Sequence, residues 1–386
     1  MQAFTLHSTP HIVFEPGGAG RLGAFAAAIL GPRVLLVTDP GIRSAGLVDA
    51  AIVSLTDNGC SVEMFGDVEA DPSRATVLAA ADRALAFDAT GIVGFGGGSS
   101  MDVAKLAAAL AGGDQTLDEM WGLEKVRRRA LPLVLVPTTA GTGSEVTKSA
   151  IVTLEGDQKL GVISAALMPD MALLDPDLTL SLPAAVTAAT GIDAMTHAIE
   201  SYTARHPNNN PVSRAAAIEA LKLLGRNIET AVHEPADREA RGAMLLGAML
   251  AGTAFANSPV AAVHALAHPI GGGFHVPHGL SNALVLPHVM RFNAPVASER
   301  YAELAPYIFP DLAGIGNANA LCTALIERIA ELRSRIGLVT RLRDVGVGEQ
   351  HLEGMAQKSR AMENLFANNP RDMSIADVLG VYRAAY

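Results

Sequence analysis

The feature of this sequence that most limits its fold is a change of pattern near residue 182. Before that point, short apolar runs rich in β-branched residues alternate with alanine-rich stretches of helical character, such as 73–87. The apolar runs are RVLLVTD (33–39), SVEMFG (61–66), GIVGFG (91–96) and LPLVLVP (131–137). Strands that alternate with helices in this way pair in parallel through helical crossovers, and strands that are apolar throughout belong to a sheet covered on both faces.

After Pro183 nearly every segment has helical character. The clearest predicted helices are 184–203, 211–233 and 236–256. The chain is therefore predicted to have an α/β plus all-α fold in two domains. Residues 1–182 are expected to form a Rossmann-like domain with a parallel sheet, and residues 183–386 an all-helical domain. Because ligands bind beside the carboxyl ends of the strands in an open α/β sheet, we expect a binding site there.

Composition argues against several classes of partner. Hydrophobic residues make up 49% and charged residues 18% of the chain, as in compact globular proteins. The formal net charge of −10 argues against nucleic acid, and KVRRR (125–129) is interpreted as a solvated loop. No uncharged apolar run is long enough for a membrane span, and the first residues lack a secretory pattern. Cys60 and Cys322 form neither a CxxC motif nor a disulfide framework, so a cytoplasmic location is expected.

A glycine-rich segment, GFGGGSSMDVAK (94–105), follows a predicted strand and opens a predicted helix. Glycines let backbone N–H groups approach an anion, and a helix N-terminus adds unpaired donors and a partial positive charge. Ser99 and Ser100 are suited to capping the helix or binding a phosphate oxygen. Met101 stands where the usual dinucleotide fingerprint has its third glycine, so a tight strand-to-helix turn without a ligand is the alternative interpretation.

Two further loops favour a dinucleotide. Asp39 ends the first strong strand, where a carboxylate accepts hydrogen bonds from ribose hydroxyls and repels a 2′-phosphate, which favours NAD over NADP. The alternative interpretation is a turn aspartate before Pro40. The hydroxyl-rich loop PTTAGTGSEVT (137–147) also follows a strand and is suited to contacts with a phosphate, a ribose or an amide.

Histidines and one aspartate predict a metal site in the helical half. Asp193 and His197 are four residues apart in GIDAMTHAIESY (191–202), so they share one helix face. A second segment, HALAHPIGGGFHVPH, contains His264, His268, His275 and His278. One carboxylate with two or three imidazoles suits Fe(II) or Zn(II). Spacing alone leaves open which of the four histidines coordinate, and hydrogen-bonded core histidines are the alternative interpretation.

Four motifs in order, GGGSSMDVAK, PTTAGTGSEVT, GIDAMTHAIESY and HALAHPIGGGFHVPHGLSNALVLP, resemble the iron-containing (group III) alcohol dehydrogenase family. The resemblance covers nearly the whole chain, and NNPRDMS (368–374) is similar to the closing segment of that family. It implies a dinucleotide-binding α/β domain followed by an all-helical metal domain. It also implies NAD(P)-linked interconversion of alcohols and aldehydes or ketones, with Fe(II) as the expected metal and Zn(II) as a second candidate. Asp39 makes NAD the expected cofactor rather than NADP.

The resemblance also implies a role for individual residues. The metal ligands that it implies are Asp193, His197, His264 and His278. His268 matches a non-ligand histidine near the nicotinamide and is our candidate for passing a proton to solvent, whereas His275 has no counterpart. The implied cofactor-binding residues are Asp39, Gly97, Gly98, Ser99, Thr138, Thr139, Ser144, Val146, Lys159 and Leu178. Asp71 departs from the family, since many relatives have asparagine there.

The expected substrate is a small, fairly apolar alcohol or aldehyde, with Phe255, Val146 and Leu365 as candidate pocket residues. The expected assembly is a homo-oligomer, a dimer or larger, in which the N-terminal segment TPHIVFEPG could pair between copies. A maleylacetate reductase-like enzyme without metal, a glycerol dehydrogenase-like enzyme and a dehydroquinate synthase-like lyase are the competing activities. A NAD-binding protein with a vestigial site is the non-enzymatic alternative.

Overall fold

A computed structural model of the chain describes residues 3–154 and 159–386, in two compact units. One unit is His7–Ser181 and the other is Leu182–Tyr386 together with the residues up to Leu6. Residues 3–6 were predicted as part of the α/β domain but belong to the helical unit. The backbone N–H and carbonyl of Thr5 each form a 2.8 Å hydrogen bond with the Asn208 side chain. Residues 1–2 and 155–158 of the predicted α/β domain lie outside the described residues.

The α/β unit contains nine strands among its described residues. They are β1 (His11–Phe14), β2 (Arg33–Val37), β3 (Ser61–Phe65), β4 (Gly91–Gly96), β5 (Gly122–Leu123), β6 (Leu133–Pro137), β7 (Ser149–Thr153), β8 (Lys159–Ile163) and β9 (Met171–Leu174). Six of them form a fully parallel sheet in the order β1–β9–β6–β4–β2–β3. This confirms the parallel sheet that the sequence predicts. A smaller sheet, β5–β8–β7, contains an antiparallel β7–β8 pair that the sequence pattern did not reveal.

Helices cover both faces of the six-stranded sheet. They are α1 (Leu22–Leu30), α2 (Pro40–Ser44), α3 (Asp49–Asp57), α4 (Arg74–Ala86), α5 (Gly98–Leu110) and α6 (Leu117–Met120). Along β2, Val34 and Leu36 join one apolar core with α1 and α3, whereas Leu35 and Val37 join another with α4 and α5. All four side chains are completely buried, which explains why the strand is apolar at each of these positions.

The strand order places a crevice where the connections change direction. From β2 the chain moves outward to β3, then returns to the other side of β2 as β4 and continues to β6 and β9. β2 and β4 are therefore neighbours, paired in the register Val37 to Gly94, and the segments that leave them run apart. In doubly wound sheets ligands bind at this switch point, beside the carboxyl ends of the two strands. Asp39 follows β2 and Gly97 follows β4 at this edge.

The second unit is helical throughout its described regular structure, as predicted. Its helices are α7 (Ala184–Thr203), α8 (Pro211–His233), α9 (Arg238–Asn257), α10 (Ala262–Phe274), α11 (His278–Ile308), α12 (Ala318–Arg335), α13 (Leu352–Arg360), α14 (Glu363–Phe366) and α15 (Ile375–Ala385). α7 is central and packs on α8, α9 and α11. Gly191 permits the close packing, because a Cβ there would lie 2.8 Å from side-chain atoms of both Ile228 and Met244.

Among the described residues, no single helix has the length and apolar character needed to cross a membrane. The pair α9 and α10, bent by 109° between them, meets the length and composition criteria together. The basic segment 125–129 lies among acidic partners, since Arg127 pairs with Glu119 and Arg128 with Asp114 at 3.3 and 3.2 Å. These exposed pairs fit the interpretation of that segment as a solvated loop.

A substitution of Gly94, in the middle of β4, tests how tightly α5 packs on the sheet. A Cβ there would lie 2.6 Å from Leu135 Cδ2 and 2.8 Å from Ala104 Cβ, both in a filled core. We expect Gly94→Ala to lower the free energy of unfolding by about 1–3 kcal/mol, measured by urea titration. Gly20→Ala is the control, because its Cβ would approach nothing closer than Ala50 Cβ at 4.0 Å. Equal urea midpoints for the two variants would contradict the packing described here.

Candidate functional site

One face of α7 carries three buried acid–base side chains. Asp193, His197 and Glu200 lie at positions i, i+4 and i+7, which share a face of an α-helix. Their exposed fractions are 2%, 5% and 4%, so each needs a partner inside the unit. Asp193 and His197 were predicted from the sequence as metal ligands, whereas Glu200 was not singled out.

Two other helix starts approach this face. His264 lies in the first turn of α10, and His278 is the first residue of α11. Gly279 allows α11 to begin against α7, because a Cβ there would clash with the carbonyl of Ala189 and lie 3.2 Å from Asp193 Cβ. The glycine that follows His278 thus brings this histidine beside Asp193.

The four predicted ligands converge on one point. Asp193 Oδ1 lies 3.9 Å from His197 Nε2, 3.9 Å from His264 Nε2 and 3.8 Å from His278 Nε2. One donor atom from each of the four residues lies within 4.8 Å of all the others. A tetrahedral ion with bonds near 2.1 Å needs donors about 3.4 Å apart, so small side-chain movements would bring them to bonding distance. The group is therefore able to hold a divalent cation such as Fe(II) or Zn(II).

Charge states in the cluster suit cation binding. Burial opposes ionisation of Asp193, but the imidazoles of His197, His278 and His264 and the Asn282 amide hold its pKa below the ordinary value. Burial, and then the neighbouring His197 and His278, lower the pKa of His264 well below its usual range. An ionised carboxylate beside a neutral imidazole is the combination that a metal ion requires.

Aromatic stacking holds the rings in place. Phe255 on α9 stacks on His197 with ring centroids 4.5 Å apart, and His197 stacks on His264 at 4.8 Å. His268 lies outside the four-donor group, with its ring edge-on to His278 at 6.3 Å. His275 is exposed and ends α10 in the left-handed conformation at φ 54°, so it is a turn residue.

Two side chains that sequence reasoning missed complete the cluster. Asn282 is fully buried one turn after His278, and its amide nitrogen donates to Asp193 Oδ1 at 2.7 Å. The Glu200 carboxyl group and His264 Nδ1 share a hydrogen bond of 2.7 Å, and burial raises the pKa of Glu200 to about 7. Their spacing could have indicated both residues. Asn282 is four residues from His278 and Glu200 is three from His197, so each shares a helix face with a predicted ligand.

The glycine-rich turn in the α/β unit has the geometry of an anion cradle. Gly97 is the N-cap of α5, and Gly96 has a φ of 150° that favours glycine. A Cβ on Gly98 would lie 2.9 Å from Thr142 Cγ2, so the Thr142 side chain packs closely on the backbone at Gly98. The free N–H groups of the first turn of α5 lie at this edge of the sheet.

Asp39 joins the two strand ends at the crevice. Its Oδ1 accepts the Ile42 N–H at 3.0 Å and caps α2, which the turn-aspartate interpretation anticipates. Its Oδ2 accepts the Ser100 hydroxyl at 3.3 Å, next to the cradle. One carboxylate oxygen thus faces the turn and the other faces the start of α5, where a ribose hydroxyl would also find an acceptor.

The hydroxyl-rich loop supplies one side chain that suits a ligand. Thr138 follows β6, and its buried hydroxyl oxygen has no hydrogen-bond partner within the described ranges 3–154 and 159–386. The Thr139 side chain lies beside Gly97, where a Cβ would be 3.8 Å away. A polar atom buried without a partner is costly, and a bound cofactor or an ordered water would satisfy it.

Other predicted cofactor residues make internal contacts. Ser144 donates to Asp102 and accepts from the Lys105 ammonium, each at 2.7 Å, so its side chain lies in a buried network. Val146 and Leu178 are almost completely buried.

Lys159 and Ser99 hold the loop around residue 71. Lys159 forms a 2.6 Å ion pair with Asp71, and the Ser99 hydroxyl bonds the Ala70 carbonyl. The loop that contains Asp71, where many relatives have asparagine, therefore lies against the start of α5.

Family profiles match both parts of the chain. Iron-containing alcohol dehydrogenase matches residues 9–176, and the Fe-containing alcohol dehydrogenase family, C-terminal, matches residues 187–386. The chain belongs to the iron-containing alcohol dehydrogenase family. This confirms the membership that the four motifs predict, and with it the class of oxidoreductase.

Individual relatives of the iron-containing alcohol dehydrogenase family align over the full length. Long-chain-alcohol dehydrogenase 1 of Geobacillus thermodenitrificans is 37% identical, covering 98% of this chain and 97% of its own. The crystal structure of a 1,3-propanediol oxidoreductase has a TM-score of 0.95 at 34% identity, with full coverage of both chains. The sulfoacetaldehyde reductase of Bifidobacterium kashiwanohense in complex with NAD⁺ has a TM-score of 0.88 at 29% identity, covering 100% of this chain and 99% of its own.

Glu145, in the hydroxyl-rich loop, makes stability depend on pH. It is buried, and desolvation raises its pKa to about 7, above its ordinary value of 4.5. Between these values the folded protein binds a proton that the unfolded chain releases, so the contribution of Glu145 to stability is fully present below pH 4.5 and is lost as pH rises to 7. We expect Glu145→Gln to remove up to about 2–3 kcal/mol of that decline, measured by urea titration across this range. Parallel pH profiles for the variant and the wild type would contradict this assignment.

Proposed function

We propose that this protein is a metal-dependent, NAD-linked alcohol dehydrogenase that interconverts a small alcohol and its aldehyde or ketone by hydride transfer. The convergence of four donor atoms within 4.8 Å supports this most strongly. We assign the dinucleotide-binding role to the domain at 1–182 and the metal-binding role to the domain at 183–386. The two family profiles, which match 9–176 and 187–386, support this division.

Asp193, His197, His264 and His278 are the proposed metal ligands. A divalent cation held by them would supply a Lewis acid for the substrate oxygen. Fe(II) is the proposed metal, supported by the family, and Zn(II) suits the same nitrogen and oxygen donors. One carboxylate and three imidazoles would leave a bound divalent cation with net positive charge, which would favour negative charge on the substrate oxygen.

Side chains around the donors are assigned the remaining steps. His268 is half-buried one turn after His264 and is proposed to carry the hydroxyl proton towards solvent on a ring nitrogen. The Phe255 ring covers His197 and excludes water on that side. An apolar ring next to the donors supports a small, fairly apolar alcohol as substrate.

The cofactor is proposed to be NAD, which supplies a hydride acceptor at its nicotinamide ring. The first turn of α5 is assigned to its pyrophosphate and Asp39 to a ribose. The further proposed contacts are Gly97, Gly98, Ser99, Thr138, Thr139, Ser144, Val146, Lys159 and Leu178. The hydroxyl of Thr138, buried without a partner among the described residues, supports a ligand at this edge of the sheet.

The chain is further proposed to work in the cytoplasm as a homo-oligomer, a dimer or larger. Its two free thiols, Cys60 and Cys322, are buried and suit a reducing compartment. β1 pairs with β9 of its own sheet and forms the edge of that sheet, with Ile12 and Phe14 exposed by 42% and 43%. An apolar edge strand supports pairing with a second copy.

No described feature favours one of the competing activities. Ligand-type side chains fill all four donor positions, which argues against a metal-free reductase of the maleylacetate type. Neither a polyol-specific site nor a lyase site has support in the residues described above.

His264→Ala tests the proposed metal function. We expect the variant to lose metal affinity by at least about 100-fold and to lose turnover, because it removes one donor and the partner of Glu200. Metal content is measured after dialysis against Fe(II) or Zn(II), and NAD reduction is measured with a panel of short alcohols. His233→Ala, which removes an exposed histidine at the end of α8, is the control. Stoichiometric metal in the His264 variant, or no alcohol oxidation by reconstituted wild type, would refute the proposal.

Asp39→Ser tests the preference for NAD. Serine keeps the ability to cap α2 and removes the charge that repels a 2′-phosphate, so we expect the ratio of kcat/KM for NAD over NADP to fall about ten-fold or more. Asp57→Ser removes an exposed carboxylate from α3 and should leave the ratio unchanged. An unaltered ratio in the Asp39 variant would count against its role at the ribose.

A further inference from the structure

We infer that Glu200 is a positioning residue of the metal centre, which acts through His264. Its carboxylate fixes the start of α10 and selects the His264 tautomer whose Nε2 lone pair faces the other donors. This inference rests on the proposed metal site and names a residue outside the four ligands. Glu200 is only 4% exposed and lies on the same face of α7 as Asp193 and His197.

The Glu200 carboxylate has three partners on one short segment. Oε1 accepts the Val263 N–H at 2.7 Å, and Oε2 accepts the Ala261 N–H at 3.0 Å. Oε2 also contacts His264 Nδ1 at 2.7 Å. One side chain of α7 therefore binds three residues at the start of α10: Ala261, Val263 and His264.

α10 depends on this carboxylate because it has no cap of its own. The N-cap position holds Ala261, which makes no side-chain hydrogen bond to the helix. By contrast, α8, α9 and α12 begin with Asn210, Asp237 and Asn317, and each of these side chains accepts a backbone N–H. The first N–H groups of a helix have no partner within the helix, so Glu200 provides from α7 what the local sequence lacks.

The same contacts determine the tautomer of His264. Each oxygen of Glu200 accepts a backbone N–H, and in the ionised carboxylate both oxygens are acceptors only. An acceptor facing Nδ1 requires Nδ1 to carry the proton, and a neutral imidazole then has its lone pair on Nε2. Nε2 is the atom that lies 3.9 Å from Asp193 Oδ1, on the side of the other donors. A carboxylate behind a metal-binding histidine also raises the basicity of the ligand.

Glu200→Gln keeps the size of the side chain but changes its hydrogen bonding, so it tests the capping and tautomer roles separately from packing. The amide oxygen is able to keep one backbone N–H, but the amide nitrogen would face donors at Ala261 and His264. The hydrogen bond to His264 survives only if Nδ1 becomes the acceptor, which moves the ring proton to Nε2 and removes the lone pair that a metal needs. We expect metal affinity to fall by about 10–100-fold, the usual effect of losing such a partner.

Asn317→Ala is the matched control. Asn317 caps α12 by accepting the Ala320 N–H at 3.1 Å, and it belongs to none of the contacts around the four donors. Both variants lose a helix cap, so both should melt roughly 2–4 °C below wild type. Only the Glu200 variant should also change metal affinity and the ring proton of His264.

The experiment uses the full chain and Co(II) as the probe. Co(II) affinity is measured by equilibrium dialysis for wild type, Glu200→Gln and Asn317→Ala. Imidazole ¹⁵N–¹H spectra of the metal-free proteins report the tautomer, with the His264 signals assigned by their loss in His264→Ala. The expected result is an Nδ1–H tautomer in wild type and in Asn317→Ala, together with an Nε2–H tautomer and weakened Co(II) binding in Glu200→Gln.

Two different failures are distinguishable. If Glu200→Gln melts earlier but keeps wild-type Co(II) affinity and the Nδ1–H tautomer, Glu200 is merely a helix cap and the inference is wrong. If wild type itself binds no Co(II), no Fe(II) and no Zn(II), the proposed metal function fails, and the positioning role fails with it.

Discussion

Burial of a carboxylate among imidazoles is the constraint on which the helical unit depends. Asp193 is almost completely buried on the central helix, and removing a charge from water costs several kcal/mol unless partners replace the solvent. His264 and His278 arrive from the starts of α10 and α11, and Gly279 lets α11 begin against α7, while Gly191 lets α8 and α9 pack closely on the same helix. The geometry of the site therefore depends on the same close helix packing that holds the unit together.

The sequence pattern was sufficient for the fold class and for the helix faces that carry the candidate ligands. Spacings of four residues place Asp193 with His197 and His264 with His268, since helix geometry is local. Local geometry does not decide between His264 and His268, because both lie on one face of α10. The place where that helix meets α7 brings His264, and not His268, into the group of four donors with Asp193.

Features that depend on distant contacts were out of reach of the sequence pattern. Glu200 bonds a backbone group 61 residues away, and Asn282 bonds a carboxylate 89 residues away. Lys105 sits in an alanine-rich helix, where a lysine ordinarily faces solvent, yet it is fully buried and bonded to Ser144, Thr147 and the Ser149 carbonyl. That network is what turns the Ser144 side chain inward, so a hydroxyl-rich loop is not uniformly available to a ligand.

The hydrogen bond between Glu200 on α7 and His264 on α10 also constrains how such a chain can diverge. Replacing His264 alone would leave Glu200 facing a gap, and replacing Glu200 alone would leave the helix it caps unsupported. Either single change leaves a polar group stranded in the interior, which is more damaging than removing both together. Loss of the ion would therefore be tolerated best where both residues change together, because neither polar group is then left buried without its partner.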